Sequence, residues 1–281
     1  MAHGKVKMYR ERSIPCDDLH RAINAKSHRS NPWSPMHRTP FHLRQRIFSP
    51  LCYWLCRQIP AHELGRIFER LQIALAGKDP RIGHYALECN NPQALCFLID
   101  VYPTLQKIFA AFPRMGTIHL LDIGPAFGAS AGLLSKMHRS HFLGPKVKVD
   151  VLDIVDSRRD FIEMTYPLID FLHGPIEEVA ADKTWDLTYC SNAIEHIADP
   201  RAFIRSVMEH TTGRAIFLAP HDEQEPLSEG HLSKITAETF AEFDVETIHL
   251  FRTAAWPITS EGLERQQILA VLKAPKKEPN H

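Results

Sequence analysis

Two spacings of apolar residues divide the chain. Between Ala61 and Ala76, Leu64, Ile67, Phe68, Leu71 and Leu75 recur at intervals of three and four, the period of one helix face. Gly77 follows where a helix C′ residue belongs. Asn91-Pro92 reads as an N-cap with proline in the first turn. The helix it opens carries Leu95, Leu98, Ile99, Tyr102, Leu105, Ile108 and Phe109, with a kink expected at Pro103. From Thr117 onward short apolar runs of strand type alternate with helical segments. The strands expected are Ile118–Leu121 ending at Asp122, Lys148–Leu152 closing on Asp153, Ile169–Leu172, Trp185–Tyr189 and Gly213–Ala219, followed by Val245–Phe251 and Gln267–Leu272. Helices are expected at Ala129–Leu134, Ser157–Tyr166, Pro200–Met208 after Asp199, and a short one capped by Thr236 up to Phe240. Such alternation points to an α/β fold with a largely parallel, doubly wound sheet.

The pattern also sets domain limits. Residues 1–42 are basic and proline-containing with few apolar positions, which reads as a flexible, solvated arm. The alternative is a contact surface for an anionic substrate or peripheral contact with an anionic membrane leaflet. Residues 43–115 form a helical extension or cap, and its first part holds a dense patch of Ile47, Leu51, Tyr53, Trp54 and Leu55 broken by Pro50. Residues 116–273 hold the α/β domain, and residues 274–281 read as a disordered tail. Formal charge is zero, with 33 basic and 33 acidic residues, so overall charge gives no support for nucleic-acid binding. No apolar run approaches the ~20 residues of a membrane span, and the N-terminus lacks the apolar core of a secretory signal. The six cysteines form no C-x-x-C pair, as expected for reduced thiols in the cytoplasm.

The chemistry centres on Thr117 to Ser135. A strand ends at Asp122, glycines follow at Gly124 and Gly128, and a helix of small residues begins at Ala129. Strand, tight turn and helix N-terminus suit a nucleotide-type ligand. The dinucleotide pattern G-x-G-x-x-G is not met, because Ala126 and Ala129 hold its second and third glycine positions. Asp122 would repel a pyrophosphate and suits a cationic ligand.

D-I-G-P-A-F-G (Asp122 to Gly128) resembles the first motif of class I S-adenosylmethionine (SAM)-dependent methyltransferases, with Ala126 replacing the middle glycine. The run W-D-L-T-Y-C-S-N-A-I-E-H-I-A-D-P (Trp185 to Pro200) resembles a second family block, common in the ubiquinone-type branch of small-molecule O-methyltransferases. Together they cover about Thr117 to Lys273 and imply a seven-stranded sheet of order 3-2-1-4-5-7-6, closed by an antiparallel hairpin. They imply SAM as cofactor, held by Asp122, Gly124, Pro125, Ala126, Gly128, Ser191 and Asn192. The acidic residue ending the second strand would bond the ribose hydroxyls. The resemblance gives that role to Asp153, with Ile154 beside it and Asp156 as the fallback. Ile176 and Glu177 occupy the turn that borders adenine in the family.

The carboxyl ends of central strands form the ligand crevice in such sheets, which sets Asn192, Glu195 and His196 beside the methyl group. A structural histidine is the competing reading of His196. The segment after the fifth strand, H-D-E-Q-E-P-L-S-E-G-H, holds His221, Asp222, Glu223, Glu225, Glu229 and His231. A similar P-(H/Y)-x-E…G-H pattern occurs in methyltransferases that accompany glycan biosynthesis. His221, His231 and His196 are the candidate bases, because imidazole titrates near neutral pH. A base ranks ahead of a solvated loop and of a metal site, and no metal is assigned. The acceptor implied is a small-molecule or sugar hydroxyl, and no nucleic-acid partner is expected. The loop after the fourth strand lacks the (D/N)-P-P-(Y/F) motif of base methylation, and Cys190 lacks a Pro-Cys setting. A nucleic-acid or protein methyltransferase and a non-catalytic SAM-binding scaffold are the alternatives.

Overall fold

The computed structural model describes residues 58, 61–76, 80–253, 255 and 266–275. The expected arm (1–42), the aromatic patch, Gly77 and residues 276–281 of the expected tail lie outside the described residues. Helix α1 (Ala61–Ala76) is followed by α2 (Pro80–Tyr85), a π-helical turn (Ala86–Asn90) and α3 (Asn91–Ala110). The helix starts at Asn91-Pro92 as expected, but Asn91 does not act as its N-cap. Asn90 and Asn91 both have right-handed helical backbone, and the Asn91 N–H bonds the Ala86 carbonyl five residues back. Local cap chemistry at Asn91-Pro92 is overridden by a helix already running into it. α3 continues through Pro103 and buries Phe97, Leu98, Val101, Leu105, Ile108 and Phe109. Ile99, expected on that face, is exposed instead.

Seven strands follow: β1 (Thr117–Ile123), β2 (Lys146–Asp153), β3 (Asp170–His173), β4 (Trp185–Ser191), β5 (Thr211–Pro220), β6 (Val245–Arg252) and β7 (Gln266–Lys273). They form one sheet in the order β3-β2-β1-β4-β5-β7-β6. Pairing is parallel from β3 to β5, and β7 runs antiparallel to both β5 and β6. This is the order that the family resemblance implies. The intervening helices are α4 (Ala129–Met137), α5 (Arg159–Thr165) and α6 (Pro200–Glu209). The side chain of Asp199 accepts from the Ala202 N–H at 2.9 Å, capping α6 with Pro200 in its first turn. Thr236 closes a capping box on the short turn Ala237–Phe240.

Strands buried on both faces read as near-continuous apolar runs, and two core clusters result. One unites α3, α4 and α5 with Ile118, Leu120, Val149, Val151 and Tyr189. The other joins Leu121, Leu152, Cys190, Phe203, Ile204, Phe217 and Phe240. Between them the layers leave the carboxyl ends of β1, β2, β4 and β5 at one edge, and there the candidate side chains collect. Among the described residues no helix is long and apolar enough to cross a membrane.

Candidate functional site

β1 runs to Ile123, and the chain then turns sharply. Gly124 has φ +68° and donates its N–H to the Leu152 carbonyl at 2.9 Å. A Cβ at this position would stand 2.7 Å from the Ala193 Cβ, so the turn and the loop after β4 can approach only over a glycine. Ala126 also takes a left-handed conformation, at φ +51°, and Gly128 follows at +76°. Alanine is accepted where the family motif has glycine, at a cost of roughly 1–2 kcal/mol. Such strain persists where the surroundings enforce it, which is a feature of ligand-binding turns.

Asp122 is 2 % exposed, and its Oδ2 has no hydrogen-bond partner. Burial pushes its carboxyl up to about 8, and the charge of Asp153 adds to the rise. A buried carboxyl with an orphaned oxygen beside a strained turn is suited to receive a cationic ligand group. Beside it on β4, the Tyr189 hydroxyl is likewise buried without a partner. These features fit SAM, whose amino-acid end carries an ammonium group.

Asp153 ends β2, as the resemblance implies. Its Oδ1 accepts from the Val155 N–H at 2.8 Å and its Oδ2 from Arg158 Nη1 at 2.7 Å. A carboxylate offers about four acceptor sites, so ribose hydroxyls can still share it. Asp156 is more exposed and pairs with Arg159 at 2.8 Å. Ile154 stands open to solvent at 69 %, whereas Ile176 is packed into the second core cluster and Glu177 is exposed. Of these two turn residues, then, Ile176 is mainly a core side chain.

Asn192 follows β4 with φ +49° and donates its N–H to the Leu218 carbonyl at 2.7 Å. Its side chain is held between Ser191 and Gln267, the latter donating from Nε2 to Asn192 Oδ1 at 3.2 Å. Glu195 is 2 % exposed and its Oε2 has no partner. Burial, with the charge of Glu223 adding and a backbone hydrogen bond opposing, pushes its carboxyl up to about 8. Its backbone carbonyl accepts from the N–H groups of Leu232 and Ser233, tying the long loop after β5 to this point.

That loop delivers His231. Its Nδ1 donates to Glu223 Oε2 at 2.5 Å, and Glu223 also accepts from the Ser228 hydroxyl and backbone N–H. Burial works to raise the Glu223 carboxyl, but the hydrogen bonds from Ser228 and His231 outweigh it and hold the group below its ordinary range. The ionised Glu223 fixes His231 with its proton on Nδ1 and Nε2 as the acceptor. His196 Nδ1 donates to the Gly230 carbonyl at 2.8 Å, and the two imidazoles meet edge to face at 4.9 Å between centroids.

Glu195, His196 and His231 each offer a donor atom within 4.8 Å of the others, a set able to hold a metal ion. Spacing along the chain hides this grouping, which departs from the expectation of no metal site. His221 does not join the three. Its N–H bonds the Gln266 carbonyl, and its ring lies near Asp222 and Glu238. Glu223, Gln267 and Tyr189 are functional candidates that the sequence reading did not single out. Glu223 was visible only as one of several carboxylates near His231.

Comparison with known proteins agrees with the geometry. Residues 121–218 match the family described as "Methyltransferase domain" (Methyltransf_11). The ubiquinone biosynthesis O-methyltransferase of Rickettsia canadensis (strain McKiel) is 24 % identical over 144 residues, covering 51 % of this chain and 56 % of that protein. Its counterpart from Rickettsia akari (strain Hartford) is 26 % identical over 145 residues, covering 51 % and 53 %. The chain thus matches about half the length of these curated relatives. In fold it is similar to the CurJ carbon methyltransferase, at TM-score 0.53 and 14 % identity over 70 % of this chain and 58 % of that one. It is also similar to a chain from the complex of the Haloferax volcanii Trm112 methyltransferase activator with a methyltransferase, at TM-score 0.50 and 14 % identity, covering 68 % and 96 %.

Proposed function

We propose that this chain is a class I SAM-dependent methyltransferase that methylates a hydroxyl group of a small molecule or sugar, a reading supported by the matched domain and the O-methyltransferase relatives. The observation that carries the reading is the Glu223–His231 pair, which holds an imidazole base beside the loop that follows β4. When bound, SAM supplies a methyl group already activated by a positively charged sulfur. Asp122 and the turn from Gly124 to Gly128 would hold its amino-acid end, and Asp153 its ribose. The protein then has to align the acceptor, exclude water and remove one proton.

His231 takes the acceptor's hydroxyl proton on Nε2, and Glu223 stabilises the resulting imidazolium through Nδ1. His196 packs against that ring and limits its rotation. Glu195, whose pKa of about 8 leaves it largely protonated at neutral pH, offers an O–H donor that can orient the acceptor oxygen. The reading carries a cytoplasmic setting, in which Cys89, Cys96 and Cys190 stay as free thiols.

The test is transfer of labelled methyl from SAM to a panel of phenolic and sugar acceptors, with RNA, DNA and protein as comparison substrates. Labelling of a hydroxyl acceptor that disappears in His231→Ala supports the reading. Labelling confined to a macromolecule, or tight SAM binding with no transfer at all, overturns it. A second reading rests on the grouping of Glu195, His196 and His231, in which a divalent ion lowers the acceptor hydroxyl's pKa. Activity lost on chelation and restored by one ion would favour it over a free imidazole base.

A further inference from the structure

The edge of the sheet opposite the crevice combines charge and exposed apolar side chains that methyl transfer does not use. Between Val101 and Val149 the chain has six basic residues, Lys107, Arg114, Lys136, Arg139, Lys146 and Lys148, and one carboxylate. That carboxylate is Asp122, buried at the far end of β1. Lys148 pairs with Asp170 at 3.4 Å, and Lys136 lies over the Tyr166 ring. Lys107, Arg114, Arg139 and Lys146 are all exposed and make no ion pair with any described carboxylate.

Topology brings these four to one edge. Lys107 is in the last turn of α3, Arg114 in the turn entering β1, Arg139 just beyond α4, and Lys146 opens β2 opposite Thr117. The two loops there are tied together by His141 Nδ1, 3.1 Å from the Arg114 carbonyl, and by the Lys146 N–H on the Gly116 carbonyl at 3.0 Å. From these same loops Phe142, Met115 and Leu143 stand 83 %, 73 % and 51 % exposed. Single exposed apolar residues need no explanation, but three on adjoining loops within a ring of cations that meet no described carboxylate do.

We propose that this edge is a peripheral docking surface for an anionic lipid bilayer. Apolar tips on short turns can enter at the acyl boundary while the flanking cations stay with the headgroup phosphates. A fluid interface accepts protruding tips without a matching cavity, whereas a folded acidic partner would need one. Docked in this way, the molecule holds the crevice at the opposite strand ends open to the aqueous phase. The surface is thus a tether that concentrates the protein at the bilayer and leaves its active site facing water.

The experiment is co-sedimentation of the full chain with vesicles of phosphatidylcholine, alone or mixed with phosphatidylglycerol. Binding is expected to the mixed vesicles only and to weaken with salt. Phe142→Ser/Leu143→Ser should lower the partition coefficient at least tenfold, with no change of charge. Arg114→Gln/Arg139→Gln should do the same, at about fivefold for each cation removed. Both variants should keep the wild-type melting temperature and its rise with SAM, which separates lost docking from lost folding. Phe142→Trp should keep binding and gain fluorescence quenching by brominated lipid. No wild-type binding to anionic vesicles, equal binding to neutral ones, or undiminished binding by the two double variants would overturn the proposal. The last result would assign the contact to the basic segment of residues 1–42.

Discussion

Asp122→Asn separates the two demands placed on this buried carboxyl. With a pKa of about 8, Asp122 is about nine-tenths protonated at pH 7 before the cofactor arrives. An ammonium group can draw full benefit only from the ionised form, so binding should expel about 0.9 proton at pH 7. The apparent dissociation constant scales with one plus the ratio of protonated to ionised carboxyl. That sum falls from about 101 at pH 6 to about 11 at pH 7, so affinity should rise about ninefold over this interval. The amino group of SAM stays mainly protonated across this interval and does not mask the trend.

The variant should release no proton, bind with pH-independent affinity from pH 6 to 7, and bind less tightly than the wild type at pH 7. Its effect on the empty protein has the opposite sign. A carboxyl raised from 3.8 to about 8 leaves stability intact below the unfolded value and removes it progressively as pH climbs from about 4 to about 8. The loss has an upper limit of ~6 kcal/mol by the usual conversion. Asp122→Asn, which cannot ionise, should therefore melt higher than the wild type at pH 8 and little differently at pH 4. Calorimetric titration in buffers of unlike ionisation enthalpy counts the proton, and melting curves measure the stability. Buffer-independent binding enthalpy at pH 7 together with a pH-flat affinity would refute the assignment of Asp122 to the ammonium group.

Three further perturbations test the rest of the site. His231→Ala should lower turnover by ~10²–10⁴-fold and Glu223→Gln by a smaller factor, both with near-normal SAM affinity, whereas His221→Ala should stay close to wild type. Single-turnover assays would expose an error if His221→Ala proved the damaging change. Asp153→Ala should weaken SAM binding at least about tenfold and Asp156→Ala less than about twofold, since only Asp153 is buried at the strand end. The reverse order in a binding titration would move the ribose contact to Asp156. Gly124→Val should abolish the rise in melting temperature caused by SAM, and it should also lower the basal melting temperature, because the added Cβ meets Ala193 at 2.7 Å. An unchanged SAM response would remove the turn from the cofactor site.

Much of the frame could be read from the chain because its signals are local. Asp122 and Asp153 stand at strand ends that the apolar runs already mark, and Gly124 and Gly128 announce the turn between strand and helix. Asp199-Pro200 and Thr236 cap the elements expected of them. Where local signals compete they mislead: the helix does start at Asn91, but Asn91 does not cap it, because a helix entering from Pro80 runs into it through a π-helical turn. The site's polar partners were the least legible. Gln267 reaches Asn192 across 75 positions, and the His196 ring meets the Gly230 carbonyl across 34. Nothing in the apolar period of β7 distinguishes Gln267 from a chance polar residue, although it is fully buried. Likewise Glu195 looks like a loop carboxylate until the fold covers it.

The unsatisfied atoms show what the sheet leaves for a ligand to complete. Among the described residues eight buried side-chain atoms lack a hydrogen-bond partner, and four of them belong to Asp122, Tyr189, Glu195 and Gln267. These four sit at or near the crevice-side ends of β1 and β4, in the loop after β4, and at the start of β7 beside the end of β5. Each orphan costs about 1–3 kcal/mol, so leaving them together lowers the stability of the empty protein appreciably. The same atoms are then available at no further desolvation cost when polar groups enter. On the proposed reading Asp122 and Tyr189 would line the cofactor side, while Glu195 lies with the imidazoles of His196 and His231. On this view the empty protein is unstable locally where it binds, and stability gained with cofactor and acceptor together should exceed the sum of the two alone. Melting curves with S-adenosylhomocysteine, with an acceptor and with both would decide the point, and simple additivity would count against it.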